Sequence, residues 1–135
     1  MKAKTRLLLT GIMMFIFSGA FSCEKPDSGK IVNINSSAYD STEYELIVFD
    51  PGYEFYLNSQ PSREFYSENY YKTWNIQYVS EWNSRYISKA ITGLYDSFIE
   101  YDPKIEYGLV LEYKLYYFFR YFEKKNNVTL IQRGN

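Results

Sequence analysis

The residues of this chain best suited to chemistry are three carboxylates in the acidic stretch EYDPKIEYG. Glu100, Asp102 and Glu106 lie close together there, and hard cations such as calcium prefer carboxylate oxygens as ligands. The same groups could also serve as a general acid and a general base. Because acidic loop residues beside a proline are usually only solvated, we expect neither a metal site nor catalysis at this position.

The other common catalytic groups are missing or isolated. The sequence holds no histidine and one cysteine, Cys23, which excludes a Ser-His-Asp triad, a Cys-His pair and a zinc site built from histidine and cysteine. It also has no glycine-rich phosphate loop. The sequence therefore predicts no cofactor and no enzyme. The alternative is an envelope enzyme, directed at glycans or peptides, with the acidic 100–106 loop in its site.

Cys23 follows a segment with the features of a bacterial signal peptide. Lys2, Lys4 and Arg6 precede the apolar run LLLTGIMMFIFSGAF, which is shorter than the roughly 20 apolar residues of a membrane span. The end of this run, AFSC, resembles the lipobox of bacterial lipoproteins, in which the cysteine is acylated and becomes the N-terminus. Residues 1–22 are therefore predicted to be a signal peptide, and Cys23 is predicted to carry the lipid.

A lipid on Cys23 would hold the protein on a membrane, because two acyl chains give stable anchoring. We expect a location in the cell envelope, on the periplasmic face or the cell surface, with the outer membrane favoured. Removal of residues 1–22 from the 135 leaves 113, and the net charge falls from −1 to −4 with the three basic residues of the leader. A mildly acidic chain without a basic block is not expected to bind nucleic acid.

The residues after the cysteine are predicted to be a spacer. Residues 24–43, which follow the predicted lipidated Cys23, are rich in Ser, Asn and Asp, and such a composition is typical of a flexible tether. Within it, the triplet Asp40-Ser41-Thr42 resembles a short acceptor motif for O-glycans in Bacteroidota, so Ser41 and Thr42 are candidate glycosylation sites. Residues 44–135 are predicted to form one globular domain.

The domain is predicted to open with a strand and a short helix. The apolar run at 46–49 is bounded by turn residues, which is typical of a buried strand. Asp50 and Pro51 then predict a helix start, because aspartate is a good N-cap and proline suits the first helical position. This helix is expected to end near Asn58.

Two longer helices are predicted to follow, the first capped by Ser62 and running to about Lys89. The second is predicted from about Tyr107 to Lys125, since its leucines and phenylalanines form one apolar stripe. Residues 90–107 are expected to be irregular, with a helical turn at 95–99. The tail NVTLIQR predicts a second strand near 127–131. The fold class is therefore α+β and mostly helical, with two or three helices packed on a short pairing of the N- and C-terminal strands.

Aromatic residues are unusually frequent, which a well-filled aromatic core in a small domain would explain; the alternative is that part of them faces a partner. Tyrosine and phenylalanine contribute 16 and 10 of the 135 residues, and on the long helices the aromatic arc adds to an apolar arc that already suffices for one packed side. Because tyrosine and tryptophan suit surfaces that are apolar at one end and wet at the other, we expect Trp74 to be buried and part of the rest to face a partner. The candidate partner-binding residues are Trp82, Tyr86, Tyr113, Tyr117 and Tyr121.

Three blocks together resemble a known family: YELIVFDPGYEFYL, YYKTWNIQYVSEWN and YGLVLEYKLYYFFRYFEKK. Over residues 44–131 the chain is similar to a family of small, uncharacterised lipoproteins of Bacteroidota, which is catalogued as a domain of unknown function. The resemblance implies an envelope location and no assigned activity. From the residues themselves, we expect a non-enzymatic envelope module that binds a partner protein or a glycan through tyrosine and tryptophan.

Overall fold

The computed structural model describes residues 32–36, 44–91 and 93–133. In chain order they form strand β1 (Val32–Ser36), strand β2 (Tyr44–Val48), helix α1 (Pro51–Asn58), a 3₁₀ turn (Arg63–Phe65), helix α2 (Glu68–Ser88) and helix α3 (Leu109–Asn126). The predicted class, a small and mostly helical α+β domain, is confirmed.

The two strands pair with each other in antiparallel register, with Ile34 opposite Leu46. Leu46 is buried, Ile34 and Val48 pack partly against the same core, and β2 contacts α3. The pairing differs from the prediction, because the partner of β2 is β1 and not residues 127–131. β1 also falls within the segment predicted to be a tether; residues 23–31 and 37–43 lie outside the described residues, as do residues 1–22.

Helix α1 begins and ends where the sequence predicts. The Asp50 carboxylate accepts a hydrogen bond from the Gly52 backbone N–H at 3.0 Å, Pro51 occupies the first turn, and the helix ends at Asn58. This is the expected capping chemistry, since the first N–H groups of a helix have no partner within it. Tyr53 and Leu57 form its buried face, and the Tyr53 hydroxyl donates to the Lys114 carbonyl oxygen at 2.7 Å.

Helix α2 begins five residues later than predicted, because its N-cap is Ser67 and not Ser62. Ser62 instead precedes the 3₁₀ turn, and Tyr66 then adopts an extended backbone that interrupts the helical path. The Ser67 hydroxyl accepts from the Tyr70 N–H at 3.2 Å. The helix ends at Ser88, and Lys89 adopts the left-handed conformation common at a C-terminus.

Helix α3 is the centre of the core. It contacts α1, α2, β2 and the 3₁₀ turn, and the predicted stripe is buried: Leu111, Leu115, Phe118, Phe119 and Phe122. The helix starts at Leu109, just after Gly108, whose φ of 86° is a conformation that favours glycine. It ends at Asn126, one residue beyond the predicted end.

Residues 93–107 are irregular, as predicted, but the turn at 95–99 is not helical. Side chains of α2 bind the backbone groups that a helical turn would pair internally. The Trp82 indole donates to the Ser97 carbonyl oxygen at 2.8 Å, and the Asn83 amide both donates to the Ile99 carbonyl oxygen and accepts from the Ile99 N–H, each at 2.9 Å. These bonds hold the segment across the C-terminal half of α2.

The C-terminal segment, residues 128–133, does not form the predicted strand. The Leu130 N–H donates to Glu123 Oε1 at 2.8 Å, and Arg85 Nη2 donates to the Thr129 carbonyl oxygen at 2.8 Å. Glu123 and Arg85 thus supply the hydrogen-bond partners that a neighbouring strand would supply. Leu130 is buried in the core, so the segment closes one side of the domain without joining a sheet.

Candidate functional site

The acidic loop does not gather its three carboxylates into one site. Glu100 and Asp102 are exposed, and Asp102 Oδ1 accepts a hydrogen bond from the Lys104 N–H at 2.9 Å, which fixes the local turn. Glu106 forms an ion pair with Lys72 at 2.8 Å. Within the described part of the chain, no group of three or more potential ligands is placed to hold a metal ion.

Glu106 also borders an open cleft of about 820 Å³ at the start of α3. The cleft carries two further carboxylates, Glu45 and Glu64, and Glu64 is paired with Arg63 at 2.6 Å. Two of its three carboxylates are therefore already bound to cations. Its remaining lining is formed by Tyr44, Tyr107, Gly108, Leu109, Val110 and Leu111.

A buried carboxylate, Glu112, lies on the core side of α3 and is fully inaccessible to solvent. Its oxygens accept from Asn75 Nδ2 at 2.7 Å and from the Tyr101 hydroxyl at 2.9 Å. Burial raises the pKa of Glu112 above its ordinary value, although these two hydrogen bonds act in the opposite direction. The cluster joins α2, α3 and the irregular segment inside the core. In the sequence, Glu112 directly follows Leu111 of the apolar stripe. This position could have indicated a buried carboxylate, but none was predicted from the sequence.

The five predicted partner-binding residues do not form one surface. Trp82 is 0% exposed and packs on Tyr95, Phe118, Phe119 and Phe122, and Tyr117 is buried as well. Both are corrections: α3 and residues 95–99 cover the side of α2 on which Trp82 lies, and Tyr117 packs against Tyr71 of α2.

The other three candidates reach solvent to different extents. The Tyr113 hydroxyl donates to the Pro61 carbonyl oxygen and the Tyr121 hydroxyl donates to Asp50, at 2.8 and 2.9 Å. Both rings are half-buried, and only Tyr86 among the five counts as exposed. Tyr86 lies against exposed Phe98, with ring centroids 6.2 Å apart, near exposed Ile87.

A different aromatic surface runs along the N-terminal half of α2, and we call it the aromatic ladder: Phe65, Tyr66, Tyr70 and Trp74. Phe65 is 63% exposed and meets the Tyr66 ring edge-on, with centroids 4.7 Å apart. Tyr66 stacks on Tyr70 at 4.1 Å, and Tyr70 meets Trp74 at 6.4 Å. The ladder therefore forms one continuous row from an exposed end to a half-buried end.

Helix geometry explains only part of the ladder. Tyr70 and Trp74 are four residues apart on one face of α2, whereas Tyr66 precedes the helix in an extended backbone and joins the row by stacking on Tyr70. This spacing of four is a sequence signal that could have identified the ladder. Trp74 had instead been expected in the core, but it is only partly buried.

Arg133 closes the half-buried end of the ladder. Its guanidinium carbon lies 4.3 Å from the centre of the Trp74 ring, a cation–π geometry. Nη1 donates to the Tyr116 hydroxyl at 2.7 Å and Nη2 donates to the Tyr78 hydroxyl at 3.1 Å. The C-terminal segment thereby holds the last aromatic residue of the ladder in place.

Three predicted sites, Cys23, Ser41 and Thr42, lie outside the described residues. Within the described ranges, no helix combines the length and the apolar character needed to cross a bilayer.

Comparison with curated proteins and with solved structures finds no match to the chain. A sequence profile described as "Family of unknown function (DUF6146)" matches residues 7–133, nearly the whole chain. The chain therefore belongs to the family of unknown function DUF6146.

Proposed function

We propose that this protein is a lipid-anchored, non-enzymatic binding module of the cell envelope, and that the aromatic ladder contacts a partner protein. The observation that carries the proposal is the continuous aromatic row from Phe65 to Trp74, which is exposed at Phe65 and Tyr66 and half-buried at Tyr70 and Trp74. Monomeric proteins seldom leave contiguous aromatic surface exposed unless it serves an interaction.

The composition of the ladder favours a protein partner over a glycan. Tyrosine, tryptophan and arginine are the residues that most often dominate the binding energy of protein interfaces, and the ladder with Arg133 contains all three. The rings already pack on one another, and Trp74 is held between Tyr70 and Arg133. Less side-chain entropy is therefore lost on binding than for freely rotating side chains.

We favour binding over carboxylate chemistry for the acidic loop. Glu106 is committed to Lys72 and Asp102 to its own turn. The buried Glu112 is inaccessible to solvent, so it serves as a support between elements and does not meet a substrate.

The anchor is proposed on Cys23. The basic start, the apolar run and the lipobox-like AFSC support it, as does the resemblance to lipoproteins of Bacteroidota. The outer membrane is the favoured location, and Ser41 or Thr42 is the proposed position of an O-glycan on the segment between lipid and domain.

The ladder is tested by site-specific photo-crosslinking in the cells that produce the protein. Benzoylphenylalanine at position 65 should crosslink to one partner protein, and the variant Tyr66→Ala should reduce this crosslink at least tenfold, because hot-spot aromatics contribute about 2 kcal/mol or more. The matched control is the same probe at Ile87, which is 70% exposed at the other end of α2.

Crosslinks of equal pattern from positions 65 and 87 would contradict the ladder proposal, as would none from position 65. Binding to a glycan array that disappears in Tyr66→Ala would assign the ladder to carbohydrate instead.

The anchor has its own test. Cys23→Ser should move the protein from the detergent phase to the aqueous phase, and a variant that stays in the detergent phase would refute lipidation at Cys23.

A further inference from the structure

A second cleft, of about 540 Å³, lies between the C-terminal half of α3 and residues 128–133. It is separate from the acidic cleft at the start of α3, with which it shares no lining residue. Its lining combines charged, neutral polar and apolar side chains: Tyr56, Arg120, Glu123, Lys124, Val128, Thr129, Ile131, Gln132 and Arg133.

The charges in this cleft are unbalanced. Arg120, Lys124 and Arg133 contribute three positive charges, and Glu123 contributes the one negative charge among the lining residues. Both Glu123 oxygens are already used: Oε1 accepts from the Leu130 N–H at 2.8 Å, and Oε2 accepts from Arg120 Nη1 at 3.0 Å. The three cations and Glu123 together give the cleft a net charge of about +2. Glu123 adds no free acceptor to the cleft, because both of its oxygens are already bound.

Two of the three cations have no carboxylate within ion-pair distance in the described ranges. Arg133 is held by Tyr78, Tyr116 and the face of Trp74, none of which neutralises its charge. Lys124 is exposed, and its Nζ lies 5.6 Å from the centre of the Tyr56 ring. The guanidinium of Arg133 is fixed before any ligand arrives, which lowers the entropy cost of binding.

The size and chemistry of the cleft indicate the class of ligand. Guanidinium and ammonium groups together are the usual partners of phosphate oxygens. A volume of about 540 Å³ falls in the range of small-molecule sites and exceeds the space of one phosphate ion. Thr129 and Gln132 add neutral polar groups, and Val128 and Ile131 add apolar surface, so there is room for a small polar body attached to the phosphate.

We propose that the cleft formed by Arg120, Lys124 and Arg133 binds the phosphate group of a small phosphorylated molecule. The proposal does not depend on the lipid on Cys23 or on the partner of the aromatic ladder, although Arg133 contacts both the cleft and Trp74 of the ladder. The phosphate oxygens meet Lys124 and the two arginines, and the rest of the molecule lies toward Thr129 and Gln132.

The proposal is tested by chemical-shift titration of the full chain with three probes: inorganic phosphate, glucose 1-phosphate and glucose. We expect saturable shifts for residues of the cleft with both phosphates, tighter binding for glucose 1-phosphate, and none with glucose. Lys124→Gln should weaken phosphate binding about tenfold, the effect of losing one charge-assisted contact of about 1.4 kcal/mol. Added salt should weaken binding further, because exposed charges are screened.

The matched control is Lys104→Gln, which removes an exposed lysine far along the chain from the cleft. It should leave the phosphate affinity within about twofold. Equal weakening by Lys104→Gln and Lys124→Gln would overturn the proposal, as would glucose binding as tightly as its phosphate, or no saturable shift with either phosphate. Vesicles that contain anionic phospholipid test the source of the phosphate group. If the protein binds these vesicles more tightly than glucose 1-phosphate, and this binding needs Lys124, the phosphate belongs to a lipid headgroup.

Discussion

Two tryptophans on α2 show how the environment of a residue decides its role. Trp82 is enclosed by Phe118, Phe119 and Phe122 of α3, and its indole N–H is bound to the Ser97 carbonyl oxygen. Trp74, two turns earlier, is partly buried and pairs with Arg133. The same side chain is therefore a core residue at one position and the end of a surface row at the other.

Replacing each tryptophan with alanine should separate the two roles. Trp82→Ala leaves a cavity in the core and an unpaired Ser97 carbonyl, and should lower the free energy of unfolding by about 3–5 kcal/mol. Trp74→Ala loses a partly exposed contact and a cation–π pair, and should cost less than about 2 kcal/mol. Urea denaturation followed by circular dichroism measures both, and equal losses would contradict these assignments.

The sequence could not distinguish the two tryptophans, because on the wheel of α2 both lie in the same broad aromatic arc. What separates them is the part of the irregular segment at residues 95–99, which lies against Trp82 and Asn83. Its path depends on long-range bonds from Trp82 and Asn83. No local pattern in residues 93–107 predicts those bonds. The prediction therefore placed Trp74 in the core and Trp82 at the surface, the reverse of what the structure has.

At the scale of elements, the cap of α1 also connects that helix to α3. Asp50 accepts from the Gly52 N–H, from the Tyr121 hydroxyl and from Lys125 Nζ. A Cβ at position 52 would collide with the Tyr121 hydroxyl, so Gly52 permits this approach. Burial raises the pKa of Asp50, but the hydrogen bonds from Lys125, Gly52 and Tyr121 outweigh it, and the pKa lies below its ordinary value of 3.8.

The two helix caps should therefore differ in strength. Ser67→Ala removes only the α2 cap and should cost about 1 kcal/mol. Asp50→Ala removes a cap and the contact with α3, and should cost about 2–3 kcal/mol at pH 7. Folding lowers the pKa of Asp50. The contribution of its carboxylate to the free energy of unfolding is therefore present above about pH 4, and it should be lost as the pH falls below 3.8, the ordinary pKa of this group.

Urea midpoints at pH 7 and pH 3 measure this difference. In a double-mutant cycle, Asp50→Ala combined with Tyr121→Phe should cost less than the sum of the single changes, since both remove the same bond. Additive losses, or an Asp50→Ala loss no larger than that of Ser67→Ala, would show that Asp50 acts only as a cap.

Local signals predicted α1, α3 and the strand β2 well, but they failed for β1 and for the C-terminal tail. The Asp-Pro-Gly start of α1 and the apolar stripe of α3 are contained within each element, so no distant residue was needed. The alternation Val32-Asn33-Ile34-Asn35 in β1 was a strand signal, but the surrounding serines and asparagines obscured it. The tail at 127–131 has the apolar residues of a strand, yet Glu123 and Arg85 bind its backbone, which sequence alone does not reveal.

At the scale of the whole molecule, tyrosine supplies much of the core. Tyr53, Tyr71 and Tyr78 are among the largest fully buried side chains. Burial raises the pKa of Tyr117 above its ordinary value and raises the pKa of Tyr116 to about 12. In the unfolded chain the same phenols ionise near pH 10. As the pH rises, the unfolded state therefore releases protons before the folded state does. The free energy of unfolding decreases as a result.

We accordingly expect stability to be constant up to about pH 9 and to fall steeply above pH 10. Tyr117→Phe keeps the ring but removes one buried phenol, so it should make this decline shallower. Val110→Ala, an exposed change on α3 that removes no phenol, is the control and should leave the slope unchanged. Urea denaturation between pH 8 and pH 11.5, with phenolate absorbance recorded in parallel, tests the expectation; identical slopes for the two variants would contradict it.

If the lipid is on Cys23, as proposed, the pairing of β1 with β2 limits how far the domain can stand from the membrane. The connection from the lipid to the domain then ends at Val32 and not at Tyr44, because β1 is paired with β2. A chain extends at most about 3.4 Å per residue, so the reach shrinks from about 70 Å for 21 residue steps to about 30 Å for nine. The domain would then work within roughly its own diameter of the bilayer surface, and a partner of the ladder would have to be found in that thin layer.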